Sequence, residues 1–146
     1  MTVAAALQRT LDELEIRNAI ARLALATDQG DLDEYASLFS EDALLEMRSE
    51  SGKARVVSPT RGRSAILAGG QKRRADGIAG PGSHVAHAIQ SSAVMLSGDT
   101  AQASTYVMIY KNTQAAPELM AMKIYHDEFI RTAEGWKVAS RFIDPV

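Results

Sequence analysis

The sequence predicts an α+β domain in which N-terminal helices pack on one face of a curved, mostly antiparallel sheet. In the first quarter of the chain, apolar residues recur at spacings of three and four, which is the period of a helix face. The second half contains four long apolar segments separated by short turns, a pattern typical of an antiparallel meander. Helices followed by such a meander favour the α+β class.

The first helix is predicted over residues 7–27, with Gly30 as its stop signal. Its apolar stripe is expected to comprise Leu7, Leu11, Leu14, Ile16, Ile20, Leu23 and Thr27. Asp31, with Glu34 three positions later, forms an acidic capping box for a second, short helix. The residues that this helix is expected to bury are Tyr35, Leu38 and Phe39.

The middle of the chain is less regular. Residues 42–47 are predicted as a first strand, and residues 53–58 as its continuation or its partner across a Ser-Gly turn. A short helix over residues 63–72 lies within a glycine-rich stretch, residues 60–82, where a mobile loop or lid is expected. The basic residues of this stretch, interpreted as a solvated loop rather than a phosphate site, are Arg61, Arg63, Lys72, Arg73 and Arg74.

Four strands are predicted in the second half of the chain. They span residues 84–96, 101–112, 119–132 and 136–143. Because 146 residues suffice for one core but not for two conventional ones, residues 1–146 are expected to form a single domain.

Composition narrows the classes of partner. The formal net charge of -2 argues against nucleic acid and anionic membranes as partners. The absence of cysteine excludes disulfides, thiolate metal sites and cysteine nucleophiles. No segment has the apolar length of a membrane span or of a signal peptide, so a cytoplasmic location is the default expectation.

The strongest candidates for chemistry are Asp28 and His87. Asp28 extends the buried stripe of the first helix by one turn, where a charge is unfavourable because the helix C-terminus repels anions. His87 shares a strand face with Val85, Ile89, Ala93 and Met95 in the predicted pattern. Each residue alone has a structural interpretation, as a helix-end cap or a core histidine. If both side chains face the same interior, the acid and the histidine together are sufficient for general acid–base proton transfer.

Other polar residues could contact a substrate. Tyr106 and Tyr110 lie on one face of a strand and could donate hydrogen bonds to a substrate oxygen, although such a row is commonly core or interface. His126 is expected to be half-buried near a pocket or to pair with a neighbouring strand. Arg141 could orient an anion or lie at the surface.

Neither a metal nor a cofactor is expected. His84 and His87 are three residues apart and point to opposite faces of a regular strand, so they cannot chelate one ion together with His126. The sequence contains no glycine-rich phosphate motif, nucleophile elbow or HExxH pattern.

Three segments resemble a known family. IARLALATDQGDLDEYASLFSEDA, which begins at Ile20, is similar to the opening of SnoaL-like proteins of the nuclear transport factor 2-like (NTF2-like) superfamily. HVAHAIQSSAVMLSGDTAQASTYVMIY, from His84, resembles the histidine strand and the tyrosine strand that follows it in that family. YHDEFIRTAEGWKVASRFI, from Tyr125, resembles its closing hairpin. The resemblance covers nearly the whole chain outside residues 46–82.

The resemblance implies an NTF2-like cone, with helices packed on a strongly curved sheet around one deep pocket. Relatives include scytalone dehydratase, hexachlorocyclohexane dehydrochlorinase, ketosteroid isomerase and polyketide cyclases. In the dehydratase and dehydrochlorinase branch, an Asp at the helix end and a His in the strand form the working dyad, and these positions match Asp28 and His87. Arg141 resembles an arginine that assists in the dehydrochlorinase.

Two functions follow from this resemblance. The first is a cofactor-independent lyase or isomerase, dehydratase-like or cyclase-like, acting on a small hydrophobic carbonyl or hydroxy compound. The alternative is a non-catalytic ligand-binding or assembly subunit resembling the small subunit of ring-hydroxylating dioxygenases. Leu23 and Ser91, which replace polar residues of the dehydratase branch, favour the alternative. A homodimer or homotrimer is expected, because the curved sheet leaves an outer apolar face to bury.

Overall fold

The structure, a computed structural model, describes residues 1–48 and 59–146. In chain order its elements are α1 (Val3–Asp28), α2 (Leu32–Ser37), β1 (Phe39–Met47), β2 (Thr60–Arg61), α3 (Arg63–Ala75), β3 (Ala86–Ser97), β4 (Thr100–Lys111), β5 (Glu118–Thr132) and β6 (Gly135–Pro145). The strand predicted over residues 53–58 lies outside the described residues. No helix in the described part of the chain is long and apolar enough to cross a membrane.

The six described strands form one mixed, curved sheet in the order β2-β1-β6-β5-β4-β3. Strands β3 to β6 are the predicted antiparallel meander, whereas β1 pairs with β6 in parallel. The α+β prediction is confirmed, and each meander strand begins and ends within two residues of its predicted bounds. The helices cover one face of the sheet and enclose the core against it.

Helix α1 buries a different stripe from the predicted one. Ile16, Ile20 and Leu23 pack in the core, but Leu7, Leu11 and Leu14 are each more than half exposed. The predicted stripe includes both Leu14 and Ile16. Because residues two positions apart differ by about 200° around a helix, these two side chains lie on nearly opposite faces of α1. The buried face continues instead through Asp12, which is only 6% exposed.

Helix α2 begins at the predicted cap, since Asp31 accepts a hydrogen bond from the backbone N–H of Asp33 at 2.8 Å. It ends at Ser37, and Phe39 is the first residue of β1 rather than part of the helix. Phe39 still packs edge-on against Tyr35, with ring centroids 5.2 Å apart. These two aromatic rings join α2 to the start of the sheet.

The basic residues around α3 are only partly solvated, which corrects the interpretation of the whole cluster as a solvated loop. Arg63 Nε donates to the carbonyl of Phe39 at 2.9 Å. Arg74 Nη2 donates to the carbonyls of Ala26 and Gly30, both at 2.7 Å. Because the last carbonyls of a helix lack intrahelical partners, Arg74 caps the C-terminus of α1 and ties α3 to it.

The far end of the sheet is joined to α1 by the carboxylate of Asp12. Arg131 donates to both carboxylate oxygens, at 2.8 and 2.7 Å, and the indole N–H of Trp136 donates to one of them at 3.1 Å. These hydrogen bonds, from Arg131 above all, hold the pKa of Asp12 well below its usual range, although burial acts in the opposite direction. The group is therefore ionised in the folded protein at pH values where it would begin to be protonated in the unfolded chain.

Asp12→Asn is expected to destabilise the protein by about 2 kcal/mol at pH 7, because the hydrogen bonds to a charged acceptor are weakened. A depressed pKa contributes stability that is present above the unfolded value of about 3.9 and is lost as pH falls toward the folded value. Urea unfolding at several pH values should thus show that the difference in the free energy of unfolding between wild type and Asp12→Asn becomes smaller below about pH 4.

Asp99→Asn is the matched control, because Asp99 accepts a hydrogen bond from the same arginine but is exposed. It should change stability by less than about 1 kcal/mol. If the difference in the free energy of unfolding between wild type and Asp12→Asn stayed constant from pH 7 to pH 2, Asp12 would have no depressed pKa.

Candidate active site

A cavity of about 290 Å³ lies between α1, α2, the end of α3 and the inner face of the sheet. This volume is near the small end of the range typical for small-molecule sites, roughly 300–1,000 Å³. Most of the wall is apolar, and six of the residues that form it are Ile20, Leu23, Val85, Ile89, Val107 and Ile109. A few polar side chains interrupt this apolar surface, and they decide what chemistry the cavity can support.

Asp28 and His87 are in direct contact. The Nδ1 of His87 lies 2.7 Å from Oδ1 of Asp28, and the backbone N–H of His87 donates to Oδ2, also at 2.7 Å. Both side chains are largely buried, with 10% of Asp28 and 16% of His87 exposed. The carboxylate is thus held at both oxygens by a single residue of the neighbouring strand.

The end of α1 holds Asp28 in place. It is the last residue of the helix, and Arg74 caps the carbonyls on either side of it. Gly30 makes the following turn possible, because a Cβ there would lie 2.8 Å from the Cα of Ala26. The carboxylate therefore leaves the helix at a defined point facing the sheet.

His87 reaches the cavity wall from the edge strand β3. Val85, His87 and Ile89 all line the cavity, as alternation along a strand requires. Beyond them, Gln90 and Ser91 together lie opposite the single residue Tyr106, which is a β-bulge.

The bulge corrects the face predicted for His87, because alternation changes phase there. Val94 and Leu96 pack against the core, whereas Met95, predicted on the His87 face, is 65% exposed. Only the part of β3 before the bulge contributes to the cavity.

The contact between Asp28 and His87 also determines which ring nitrogen is free. Since an ionised carboxylate only accepts hydrogen bonds, the neutral ring carries its hydrogen on Nδ1 and has its lone pair on Nε2. His87 can then accept a proton at Nε2, and Asp28 stabilises the resulting imidazolium. No group of three or more His, Cys, Asp or Glu side chains within residues 1–48 and 59–146 could hold a metal ion.

The predicted tyrosines lie outside the cavity, which corrects their assignment as substrate contacts. On β4, Val107 and Ile109 face inward, so Tyr106 and Tyr110 point to the outer face of the sheet. The phenols that do line the cavity are Tyr35 of α2 and Tyr125 of β5. Burial raises the pKa of Tyr125 to about 12, so this phenol remains a hydrogen-bond donor across the physiological range.

His126 is also outside the cavity, contrary to its expected place near the pocket. Alternation puts Tyr125 inside and His126 on the outer face, where its Nδ1 lies 3.3 Å from the hydroxyl of Ser104. Its Nε2 lies 3.7 Å from a carboxylate oxygen of Asp144. His126 therefore contacts the two neighbouring strands, β4 and β6, which is the other expectation for this residue.

Arg141 lines the cavity and is 6% exposed. Its Nε and Nη2 donate to the two carboxylate oxygens of Asp127, at 2.6 and 2.8 Å. Burial works against the charge of Arg141, but the adjacent Asp127 outweighs it and raises the pKa above its ordinary value. The guanidinium also lies 4.9 Å from the centre of the Tyr125 ring, so it is fixed on both sides.

The two positions that depart from the dehydratase pattern have different environments. Leu23 is 1% exposed and forms part of the cavity wall. Ser91 lies in the bulge of β3 and is exposed. The apolar residue at position 23 therefore removes a polar group from the cavity itself, whereas Ser91 has no contact with it.

Comparison with known proteins identifies the family. The SnoaL-like domain matches residues 8–142. The chain belongs to the SnoaL-like family. No match was found among functionally curated proteins.

Solved SnoaL-like and NTF2-like structures share the fold. An NTF2-like protein with a cystatin-like fold from Novosphingobium aromaticivorans is 26% identical, with a TM-score of 0.80 over 99% of this chain and 88% of that one. A second protein from the same organism, provisionally described as an aromatic ring hydroxylase, is also 26% identical, with a TM-score of 0.72 over 94% and 90%. A protein from Streptomyces avermitilis, provisionally described as an NTF2-like dehydratase, is 18% identical, with a TM-score of 0.72 over 95% and 98%.

Proposed function

We propose that the protein is a cofactor-independent lyase or isomerase that transfers a proton within a small hydrophobic carbonyl or hydroxy compound. The observation that carries this proposal is the contact between Asp28 and His87, with His87 on the wall of a mostly apolar cavity. A histidine oriented by a carboxylate and facing a bound molecule is the arrangement that general acid–base catalysis requires.

In the proposed reaction, Nε2 of His87 removes a proton from a carbon next to the substrate carbonyl. The electron pair moves into the carbonyl group, whose oxygen becomes negatively charged, and Asp28 stabilises the imidazolium. His87 then returns the proton to another carbon, which completes an isomerisation, or to a departing hydroxyl group, which completes the elimination of water. No external acid, base or oxidant is needed for either outcome.

The developing negative charge on the substrate oxygen needs a donor, and Tyr125 is suited to that role. Its raised pKa keeps the phenol protonated, and the mostly apolar wall offers few other polar groups that would compete for the hydrogen bond. Arg141, beside the ring of Tyr125, adds positive charge at the same wall. Tyr35 is the second cavity phenol and could serve a differently placed oxygen.

The alternative function is a non-catalytic subunit that binds a ligand or assists assembly. Leu23 favours it, because an apolar side chain occupies a position that is polar in the dehydratase branch. The described cavity argues against a subunit that only assists assembly, since such a subunit would gain stability by filling the cavity with side chains. The contact between Asp28 and His87 favours the enzyme over a subunit that only binds a ligand.

Deuterium exchange tests the proposal without knowledge of the substrate. In D2O, the wild-type protein is expected to accelerate the exchange of the hydrogens next to the carbonyl of 1-indanone or 1-tetralone, neutral ketones that suit a small apolar cavity. NMR would measure the rate with protein and in buffer of the same pH. Exchange at the buffer rate for a panel of such ketones, together with no water elimination from the matching β-hydroxy ketones, would contradict the proposed function.

A further inference from the structure

Three consecutive basic residues at the end of α3 have different partners. Lys72 Nζ donates to Asp76 at 2.6 Å, and Arg74 caps the end of α1. Arg73, between them, has no hydrogen bond or ion pair within the part of the chain that the structure describes, yet it is only partly exposed and lines the cavity. Arg73 therefore forms part of the cavity wall. Its guanidinium lies beside Gly69 and Gly70 of α3, where no described side chain occupies its hydrogen-bond donors.

The charge balance of the wall makes this arginine significant. The described residues that line the cavity include the cations Arg73, Lys123 and Arg141 but no carboxylate. Asp28 and Asp127, whose partners line the cavity, are bound to His87 and Arg141. An anion that entered the cavity would therefore meet the charge of Arg73 without a competing carboxylate from the described part of the wall.

We propose that Arg73 is a specificity-determining residue that binds a carboxylate of the substrate. The substrate class would then be a hydrophobic carbonyl or hydroxy acid, with its skeleton against the apolar wall and its acid group on the guanidinium. A planar guanidinium binds a carboxylate through two parallel hydrogen bonds, and such charge-assisted bonds are stronger where water is scarce. This inference rests on the proposed function, because it takes the cavity to be a substrate site.

Ligand binding tests the inference separately from catalysis. Benzoate and 2-naphthoate are suitable probes, with benzamide and 2-naphthamide as neutral analogues of the same shape. By isothermal titration calorimetry, wild type is expected to bind at least one carboxylate more tightly than its amide. Arg73→Met should weaken carboxylate binding by roughly 10- to 100-fold and change amide binding by less than about threefold.

Lys72→Met is the matched control, because it removes the same charge from the adjacent position, which is outside the cavity wall. It should leave carboxylate binding within about twofold of wild type. Equal losses in Arg73→Met and Lys72→Met, or no preference of wild type for either acid over its amide, would overturn the assignment of Arg73. Neither result would affect the exchange of neutral ketones, which tests the proton transfer alone.

Discussion

Asp28→Asn and His87→Asn are each expected to lower the rate of proton exchange by roughly 10²- to 10⁴-fold, and the double variant should be no slower than the worse single variant. The two residues act as one unit, since a base without its orienting acid, or an acid without its base, cannot perform the transfer. Residues that function as a unit lose activity in this non-additive way. The measurement is a double-mutant cycle on the deuterium exchange of a neutral ketone.

Asparagine is the informative replacement at both positions. At position 87, its amide nitrogen occupies the place of Nδ1, so it can keep the bond to Asp28 while the basic Nε2 is removed. At position 28, its carbonyl can still accept from the backbone N–H of His87, but its amide now donates to Nδ1. The ring hydrogen then moves to Nε2, and the base is lost although the ring stays in place.

His84→Asn and Asp33→Asn are the matched controls. His84 is exposed and has a φ of 56°, a conformation that Asn adopts readily, and Asp33 is exposed on α2. Both should retain exchange within about twofold of wild type. If Asp28→Asn and His87→Asn multiplied their losses in the double variant, the two residues would act independently and the dyad would be rejected.

The element order of the protein is predictable because it depends on local pattern. Alternation and turn residues define the four meander strands, and Asp31 marks the start of α2. The incorrect predictions, such as the buried stripe of α1, concern tertiary packing, which the local sequence pattern does not determine. Leu7, Leu11 and Leu14 have the spacing of a buried stripe, but the sheet packs beside the face of α1 that contains Asp12.

The site is predictable only in part because it depends on strand register. The residue pattern indicates Asp28, His87 and Arg141 as candidates and the family resemblance gives them roles, and the structure brings all three to the region of the cavity. The sequence also indicates Tyr106 and Tyr110, which the structure places on the outer face, because alternation separates the two faces of a strand without showing which one is inside. No local sequence signal marks Tyr35, Tyr125 or Arg73 as residues of the cavity wall.

The ion pair of Asp127 and Arg141 is another feature that cannot be predicted without the strand register. Opposite charges directly across a pair of strands stabilise a sheet, and Asp127 lies opposite Arg141 in the register of β5 and β6. Without the register, two charges 14 residues apart on separate strands look like surface residues. Only the structure reveals that both are buried, with Asp127 2% exposed.

Asp127→Ala is expected to destabilise the protein by about 3 to 5 kcal/mol, the cost of leaving a buried charge without its partner. Arg141 would keep its charge, because a guanidinium does not lose its proton at accessible pH, and would lose the carboxylate that accepts its two hydrogen bonds. Urea unfolding at pH 7 measures the loss. Should Asp127→Ala fail to fold, the combined replacement Asp127→Leu with Arg141→Met provides a second measurement.

The combined variant removes both charges and is expected to be more stable than Asp127→Ala, since no uncompensated ion is left behind. Glu34→Gln is the control for an exposed pair, because Glu34 accepts from Arg22 at 2.9 Å with both side chains more than 40% exposed. It should cost less than about 1 kcal/mol. If Asp127→Ala cost no more than Glu34→Gln, the charge of Arg141 would be solvated in the variant, and the expectation that this ion pair is buried from water would be wrong.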